Sequence, residues 1–409
     1  MNNFRTPKHW AAILAAGIAL TSCSKDEDKT QDTPPADYSE LKTQIVTDYA
    51  TIVHASYEDA YNSAVNLQNK INAFVDAPSA SLFEEAKQAW LDAREPYGQT
   101  EVYRFYSGPI DDAEGPEGDL NAWPLDESHI DYVQSGTGND ENSGNEKNIV
   151  NNISEFPVID QSTLRSLNEN GSEKNISIGY HAIEFLLWGQ DFNANGPGNR
   201  SFTDYVNGGT NDNQSRRGDY LKATAAILVE DLKTMVDAWA NGASYYNSFV
   251  NDEADNSIRK IMIGMGVLSK SELAGERIYV ALDNQDQEDE HSCFSDNTHR
   301  DIILNAQGIL NVYSASYTRT DGSTINGASV NELLQQVNAD LATELDALIR
   351  QSIGRAGAIP VPFDHALTQE TVGGEGPIML TVRSLQDQGD KIAEAAAALG
   401  IAISTDLPQ

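Results

Sequence analysis

YSELKTQIVTDYATIVHASYEDAYNSAVNLQNKINAF, residues 38–74, decides the architecture of this chain. Leu41, Ile45, Tyr49, Ile52, Tyr57, Ala60, Ala64, Leu67, Ile71 and Phe74 follow one another mostly at steps of three or four. With 3.6 residues per turn, that spacing lays them along one face of a long helix. Pro78-Ser79 interrupts the pattern, and Ser81 with Glu84 resembles a capping box for a second helix running to about residue 106.

The helical pattern returns over residues 161–168, 176–189, 220–239, 258–283, 301–317, 330–352 and 377–399. Two stretches break it, 107–156 and 190–213, both crowded with Gly, Asp, Asn, Pro and Ser; residues 137–152 read as an exposed loop. Strand alternation is not convincing anywhere. The expectation is an all-α chain of two helical-bundle domains, 38–205 and 206–402, divided within the second break. The apolar stripes read as plain core.

The N-terminus speaks to compartment. Arg5 and Lys8 precede an apolar run at residues 10–20, too short to span a bilayer, which needs about 20 residues. Leu20-Thr21-Ser22-Cys23 looks like a lipobox, so residues 1–22 read as a lipoprotein signal and Cys23 as the lipidated residue. Ser24 to Lys29 begins an acidic, polar tether to residue 37, which reads equally as the kind of signal that sends some lipoproteins to the outer face of the outer membrane and as a plain solvated linker. A lipid anchor leaves the remainder soluble.

Asp and Glu number 62 against 27 Lys and Arg, a net charge of −35. Such a balance argues against nucleic acid and anionic membrane surfaces as partners. Cys23 and Cys293 are the two cysteines. With the first lipidated, no internal disulfide remains, and Cys293 reads by default as a small buried residue.

Two polar constellations carry the chemistry. His181 and Glu184, three apart in a helical segment, share a face, and together they suit one metal ion or a carboxylate-oriented imidazole. Phe185 follows Glu184, so the second histidine of a zinc-peptidase helix is missing. About a hundred residues on, Gln287 to His299 packs acids, two histidines, a thiol and hydroxyls into one tract. Glu288 and His291 have the Glu-x-x-His order of carboxylate-bridged iron sites, while Ser295, Asp296 or Thr298 reads equally as the N-cap of a helix starting near His299. Arg94, Glu101 and Arg104 fall near one helix face, either a salt-bridged surface or a wall of an anionic-ligand pocket. Glu272 to Arg277 places charges beside a small-residue contact. There is no phosphate loop, dinucleotide fingerprint or Gly-x-Ser-x-Gly elbow; Gly373 to Pro377 reads as a helix–helix turn.

The chain resembles the imelysin family from about residue 40 to 400. The likeness rests on Gly179-x-His181-x-x-Glu184, Trp90 with Arg94, the Arg104 to Asp111 stretch, Trp123-Pro124-Leu125, Glu272 to Arg277, Gln287 to His299 and Asn311-Val312-Tyr313. The resemblance implies an all-helical, two-domain envelope protein with its site at the domain interface, often iron-regulated and associated with iron uptake, in a family classed among metallopeptidases. It carries over His181 and Glu184 as catalytic or metal-binding residues. From matching stretches, Arg104, Asp111, Glu276, His291, Ser295, Asp296 and His299 join them as interdomain candidates, His291 as a third metal ligand.

Three functions are then open: a lipoprotein binding a divalent metal, iron or zinc, with iron-uptake or other envelope proteins as partners; a metallopeptidase in which Glu184 activates a metal-bound water; and a scaffold whose charged clusters only join two bundles.

Overall fold

The stripe from Leu41 to Phe74 forms α1, Ser39–Asp76, and buries Ile45, Tyr49, Ile52, Tyr57, Ala60, Ala64, Leu67, Ile71 and Phe74 as its spacing requires. The computed structural model describes residues 37–134, 147–193 and 195–408. The leader, Cys23, the tether to residue 36 and the loop residues 135–146 lie outside the described residues.

Helix α2, Ala80–Tyr97, is capped by Ser79, whose side chain accepts from the Leu82 amide, and not by the box expected at Ser81 and Glu84. It ends earlier than residue 106: from Gly98 to Tyr103 the chain tightens into a 3₁₀ turn. Helices α3 (Gly179–Trp188) and α4 (Gln214–Trp239) complete the first half. The second half holds α5 (Ala254–Val267), α6 (Thr298–Ser314), α7 (Ala339–Ala356) and α8 (Pro377–Ala398). Among the described residues no helix is long and apolar enough to cross a membrane.

Three local expectations change. Residues 258–283 are one continuous helix by pattern, but Leu268–Tyr279 is wound as a π-helix between α5 and a last α-turn, Val280–Asn284. The block 330–352 divides at Asn338, which caps α7 by accepting from the Leu341 amide. A small antiparallel hairpin, Ser316–Thr318 with Thr324–Asn326, stands where no strand was expected; Asp321 and Gly322 form its turn, and Tyr317 is its one buried anchor. In the segment read as an exposed loop, Ile149 and Val150 are fully buried, their carbonyls held by Arg216.

The boundary expected between residues 205 and 206 does not coincide with a break in packing. Helix α1 packs on α2 and α4 and also on α5, and α6 lies against the 3₁₀ turn that ends α2. One cluster of buried apolar residues runs from Ile45 to Ile401, and Tyr38–Gln409 is a single compact unit. The approach is close: a Cβ at Gly264 of α5 would lie 2.3 Å from the Val102 carbonyl oxygen, so only glycine fits. That contact fixes the turn carrying Glu101.

Candidate functional site

Helix α3 is buried along its whole length, so any partners of its histidine and its glutamate must come from within the fold. The spacing of three brings His181 Nδ1 to 2.9 Å from Glu184 Oε2. Glu184 Oε1 accepts from both the Ser295 amide, at 2.9 Å, and the Ser295 hydroxyl, at 2.6 Å. His181 Nε2 is buried and has no hydrogen-bond partner among the described residues. Gly179 explains the start of this helix: its φ is +89° and a Cβ would lie 2.7 Å from the Leu120 carbonyl oxygen. The glycine of the motif thus lets α3 press against the segment that carries Asn121.

The tract at 287–299 supplies the second imidazole. His291 lies edge-on to His181, ring centroids 4.7 Å apart at 79°. Its Nδ1 sits 2.8 Å from Asp301 Oδ2, which also accepts from the Ser292 hydroxyl at 2.5 Å. Arg94 donates to Asp301 Oδ1 at 3.0 Å and to Asn121 Oδ1 at 2.6 Å. The guanidinium lies 5.0–5.6 Å from the ring centres of Trp90, Tyr97 and Tyr180, a setting that favours a delocalised cation. Asn121 Nδ2 stands 3.4 Å from both Glu101 Oε1 and His291 Nε2.

Glu101 continues the network outward. Arg277 donates to its Oε2 at 2.6 Å and Arg104 at 2.9 Å. Arg104 also pairs with Glu117 at 3.0 Å, and Arg277 with Glu272 at 2.9 Å and Asn305 at 2.8 Å. The contact between Glu272 and Arg277 spans five residues, which the π-helical winding places on one side of the helix, whereas α-helical neighbours lie three or four apart. Arg104, Glu117, Asn121, Trp123, Glu272, Glu276, Arg277 and His291 line a cavity of about 400 Å³.

The charge states follow from this packing. Burial, aided by Arg94, pushes His181 well below its ordinary pKa. Burial and then Arg277 take His291 down to about 3. Both imidazoles are therefore neutral at pH 7. For Asp301, burial alone would raise the carboxyl, but Arg94 and the bonds from His291 and Ser292 outweigh it and hold the group well below the usual carboxylate range. An ionised Asp301 makes Nδ1 the protonated nitrogen of His291 and leaves Nε2 to accept from Asn121. Glu184 goes the other way, raised to about 8 by burial, so one proton is shared along the His181–Glu184 contact.

The expected site residues divide clearly. His181, Glu184, Ser295 and His291 are brought together; Arg104 and Glu276 join His291 at the cavity wall. Asp111 stands apart. It accepts from the Phe105 and Gly108 amides and so holds a turn in which Phe105 and Ser107 have positive φ. His299 turns back, its Nδ1 3.0 Å from the Asp296 carbonyl oxygen. Glu288 does not join His291; its carboxyl feels the charge of Glu127 instead. The helix at 298 has Asn297, not Ser295, Asp296 or Thr298, in the cap position. Cys293 is a free, buried thiol.

Among the described residues, the one group of three or more His, Cys, Asp or Glu whose ligand atoms all lie within 4.8 Å of one another is Asp191, Asp296 and Asp364. His181, Glu184 and His291 do not converge in that way, because Glu184 sits behind the His181 ring on its Nδ1 side. Asn121, Asp301, Asp191 and Asp364 were not singled out from sequence. Each lies in an unremarkable local context, and only the partner across the fold gives it meaning.

This is an all-α protein organised around two carboxylate-braced imidazoles, one of which, His291, stands on the wall of a charged cavity. The imelysin model, that of the M75 peptidase family, matches residues 53–391, and the chain belongs to that family. Iron-regulated protein A of Synechococcus elongatus is 26% identical over 326 residues, which cover 77% of this chain and 75% of that one. The crystal structure of a candidate iron-regulated protein A precursor from Parabacteroides distasonis has the same fold, with a TM-score of 0.69 at 16% identity over 90% of this chain and 97% of the other. An imelysin-like protein from Psychrobacter arcticum aligns with a TM-score of 0.63 at 13% identity over 90% and 98%.

Proposed function

We propose that the chain is a metal-binding envelope lipoprotein whose ion, iron first among the candidates, is held on the imidazole of His181. One observation carries this reading: among the described residues, Nε2 of His181 is a buried nitrogen with no partner, while Nδ1 is fixed by a carboxylate. A neutral imidazole braced in this way is the usual form of a histidine ligand. The residues present fit one imidazole donor, with His291 as a second when Asn121 releases its Nε2. A third protein donor is not assembled around them.

When bound, such an ion supplies positive charge and Lewis acidity at the inner end of the site. The chain's own residues do the rest. Glu184 orients His181 and takes up or yields the shared proton, Ser295 holds Glu184 in place, and Arg94 keeps Asp301 ionised so that His291 stays in one tautomer. Peptide hydrolysis with Glu184 as base draws less support, since both of its oxygens are engaged by His181 and Ser295. The family and the name of the Synechococcus relative support iron as the ion. The lipobox at Leu20 to Cys23 supports anchoring at the outer membrane beside iron-uptake partners, which Cys23→Ala with fractionation of cells tests directly.

The decisive experiment is elemental analysis of protein purified without chelators, followed by titration with ferrous, zinc and copper salts. Binding of a single equivalent that His181→Ala abolishes is the expected result. No bound transition metal and no micromolar uptake would reject the reading.

A further inference from the structure

The proposed ion at His181 leaves unexplained a second set of acids on the far side of the 287–299 tract. Asp191 follows the end of α3, Asp296 lies in the tract, and Asp364 opens the short helix Phe363–Thr368. One oxygen from each lies within 4.8 Å of the others. Asp191 and Asp364 are 3% and 5% exposed, and among the described residues none of the three is ion-paired. Like charges so close, two of them buried, repel one another unless something positive joins them.

An independent observation lies beside the group. Glu290 is 1% exposed, its Oε1 has no hydrogen-bond partner, and its charge interacts with all three aspartates, Asp364 foremost. Asp364 Oδ2 is likewise buried and without a partner, Oδ1 being taken by the His365 amide. Two buried carboxyl oxygens, one on Glu290 and one on Asp364, are thus without a hydrogen-bond partner, and among the described residues no cationic side chain pairs with the three aspartates.

We propose that Asp191, Asp296 and Asp364, with Glu290 beside them, form a binding site for a hard divalent cation of the calcium class. All donors are carboxylate oxygens, with no imidazole or thiolate, which favours a hard cation over zinc and copper. Calcium–oxygen distances of about 2.3–2.6 Å permit ligand oxygens up to about 5 Å apart, whereas the shorter bonds of magnesium demand a tighter cage. The site is separate from the one at His181, and its consequence is structural. A cation there ties the end of α3 to the C-terminal segment and fixes the tract, and Asp296 is the neighbour of Ser295, which holds Glu184.

The test uses the full chain after EDTA treatment, titrated with CaCl2 by calorimetry and by thermal melting. Wild type binds calcium and melts higher with it. Asp296→Asn, a half-buried position, weakens binding at least about tenfold while circular dichroism stays unchanged. The double variant Asp296→Asn/Asp364→Asn abolishes binding, and His181→Ala binds calcium as wild type does, which separates this site from the proposed transition-metal site. No heat and no melting shift up to about 10 mM CaCl2 would overturn the proposal. So would calcium binding unchanged in the double variant, or MgCl2 binding as tightly as CaCl2.

Discussion

The imidazole of His181 stands edge-on to that of His291, 4.7 Å between centres, and each ring is held at Nδ1 by its own carboxylate. The two braces differ in origin. Glu184 lies three residues along the same helix, whereas Asp301 reaches His291 from α6 and is itself held by Arg94 of α2. A pair built this way cannot rotate to satisfy a stray partner. The Nε2 of His181 therefore has no partner among the described residues, and an ion arriving there needs only the shared proton to pass to the Nδ1 side as Glu184 ionises.

Glu184→Gln tests the brace without disturbing the packing. The amide oxygen can still accept from Ser295, but the amide NH₂ now faces His181 Nδ1 and donates to it. The imidazole proton is then confined to Nε2, the nitrogen that would bind metal, with no carboxylate able to draw a proton to Nδ1 when an ion arrives. A folded protein with transition-metal affinity reduced about 10–100-fold is expected. Isothermal titration beside a melting curve checks it; undiminished affinity would show that Glu184 does not set the tautomer.

Arg94→Ala addresses the other brace. It leaves Asp301 ionised and buried with one cationic partner removed, and it strands Asn121 Oδ1. Loss of one member of a buried pair costs about 3–5 kcal/mol, so urea denaturation is expected to show a shift of that order. A shift below about 1 kcal/mol, the range of exposed pairs, would mean that the network is not the structural unit its geometry describes.

Much of this was legible because helices are local. The stripe on α1 and the three-residue step from His181 to Glu184 need no knowledge of the rest of the fold. The π-helical stretch was not legible: Glu272 and Arg277 read as charges on an ordinary helix, and only the winding shows why a five-residue step pairs them. Nor were Asn121 and Asp301, since their partners, Arg94 and His291, sit 27, 207 and 10 residues away in the pairings observed. The same remoteness hid Asp191 and Asp364. The two-domain expectation followed from a polar break at 190–213, yet α1 packs across it, because a long amphipathic helix buries its face against whatever apolar elements return to it.

Gly179→Ala probes the entry to the site. A side chain at φ +89° is strained, and its Cβ would meet the Leu120 carbonyl oxygen at 2.7 Å. Backbone strain of this kind costs about 1–3 kcal/mol, and relief requires α3 to move away from Asn121. The expected result is a lower melting temperature together with weaker metal binding. A variant that melts lower but binds unchanged would show that α3 carries His181 without needing that contact.

Stability should fall as the pH rises from about 6.5 to about 8.5. Burial raises Glu184 to about 8; burial together with Asp191 raises Asp296 to about 8. In the unfolded chain both are ionised above about 5. The folded state thus holds the extra protons, and the stability this contributes is lost as the pH climbs through the folded values. The buried histidines have the opposite sign: His129 is lowered to about 4 and His291 to about 3, chiefly by burial, so they penalise the folded state only below about pH 6.5. Above that pH they leave the carboxyls unopposed. Glu184, fully buried, accounts for a slope of at most about 1.4 kcal/mol per pH unit. Denaturant melts across this range should show the decline in the wild type and a shallower one in Glu184→Gln. A flat profile in the wild type would mean that Glu184 and Asp296 are already ionised at neutral pH.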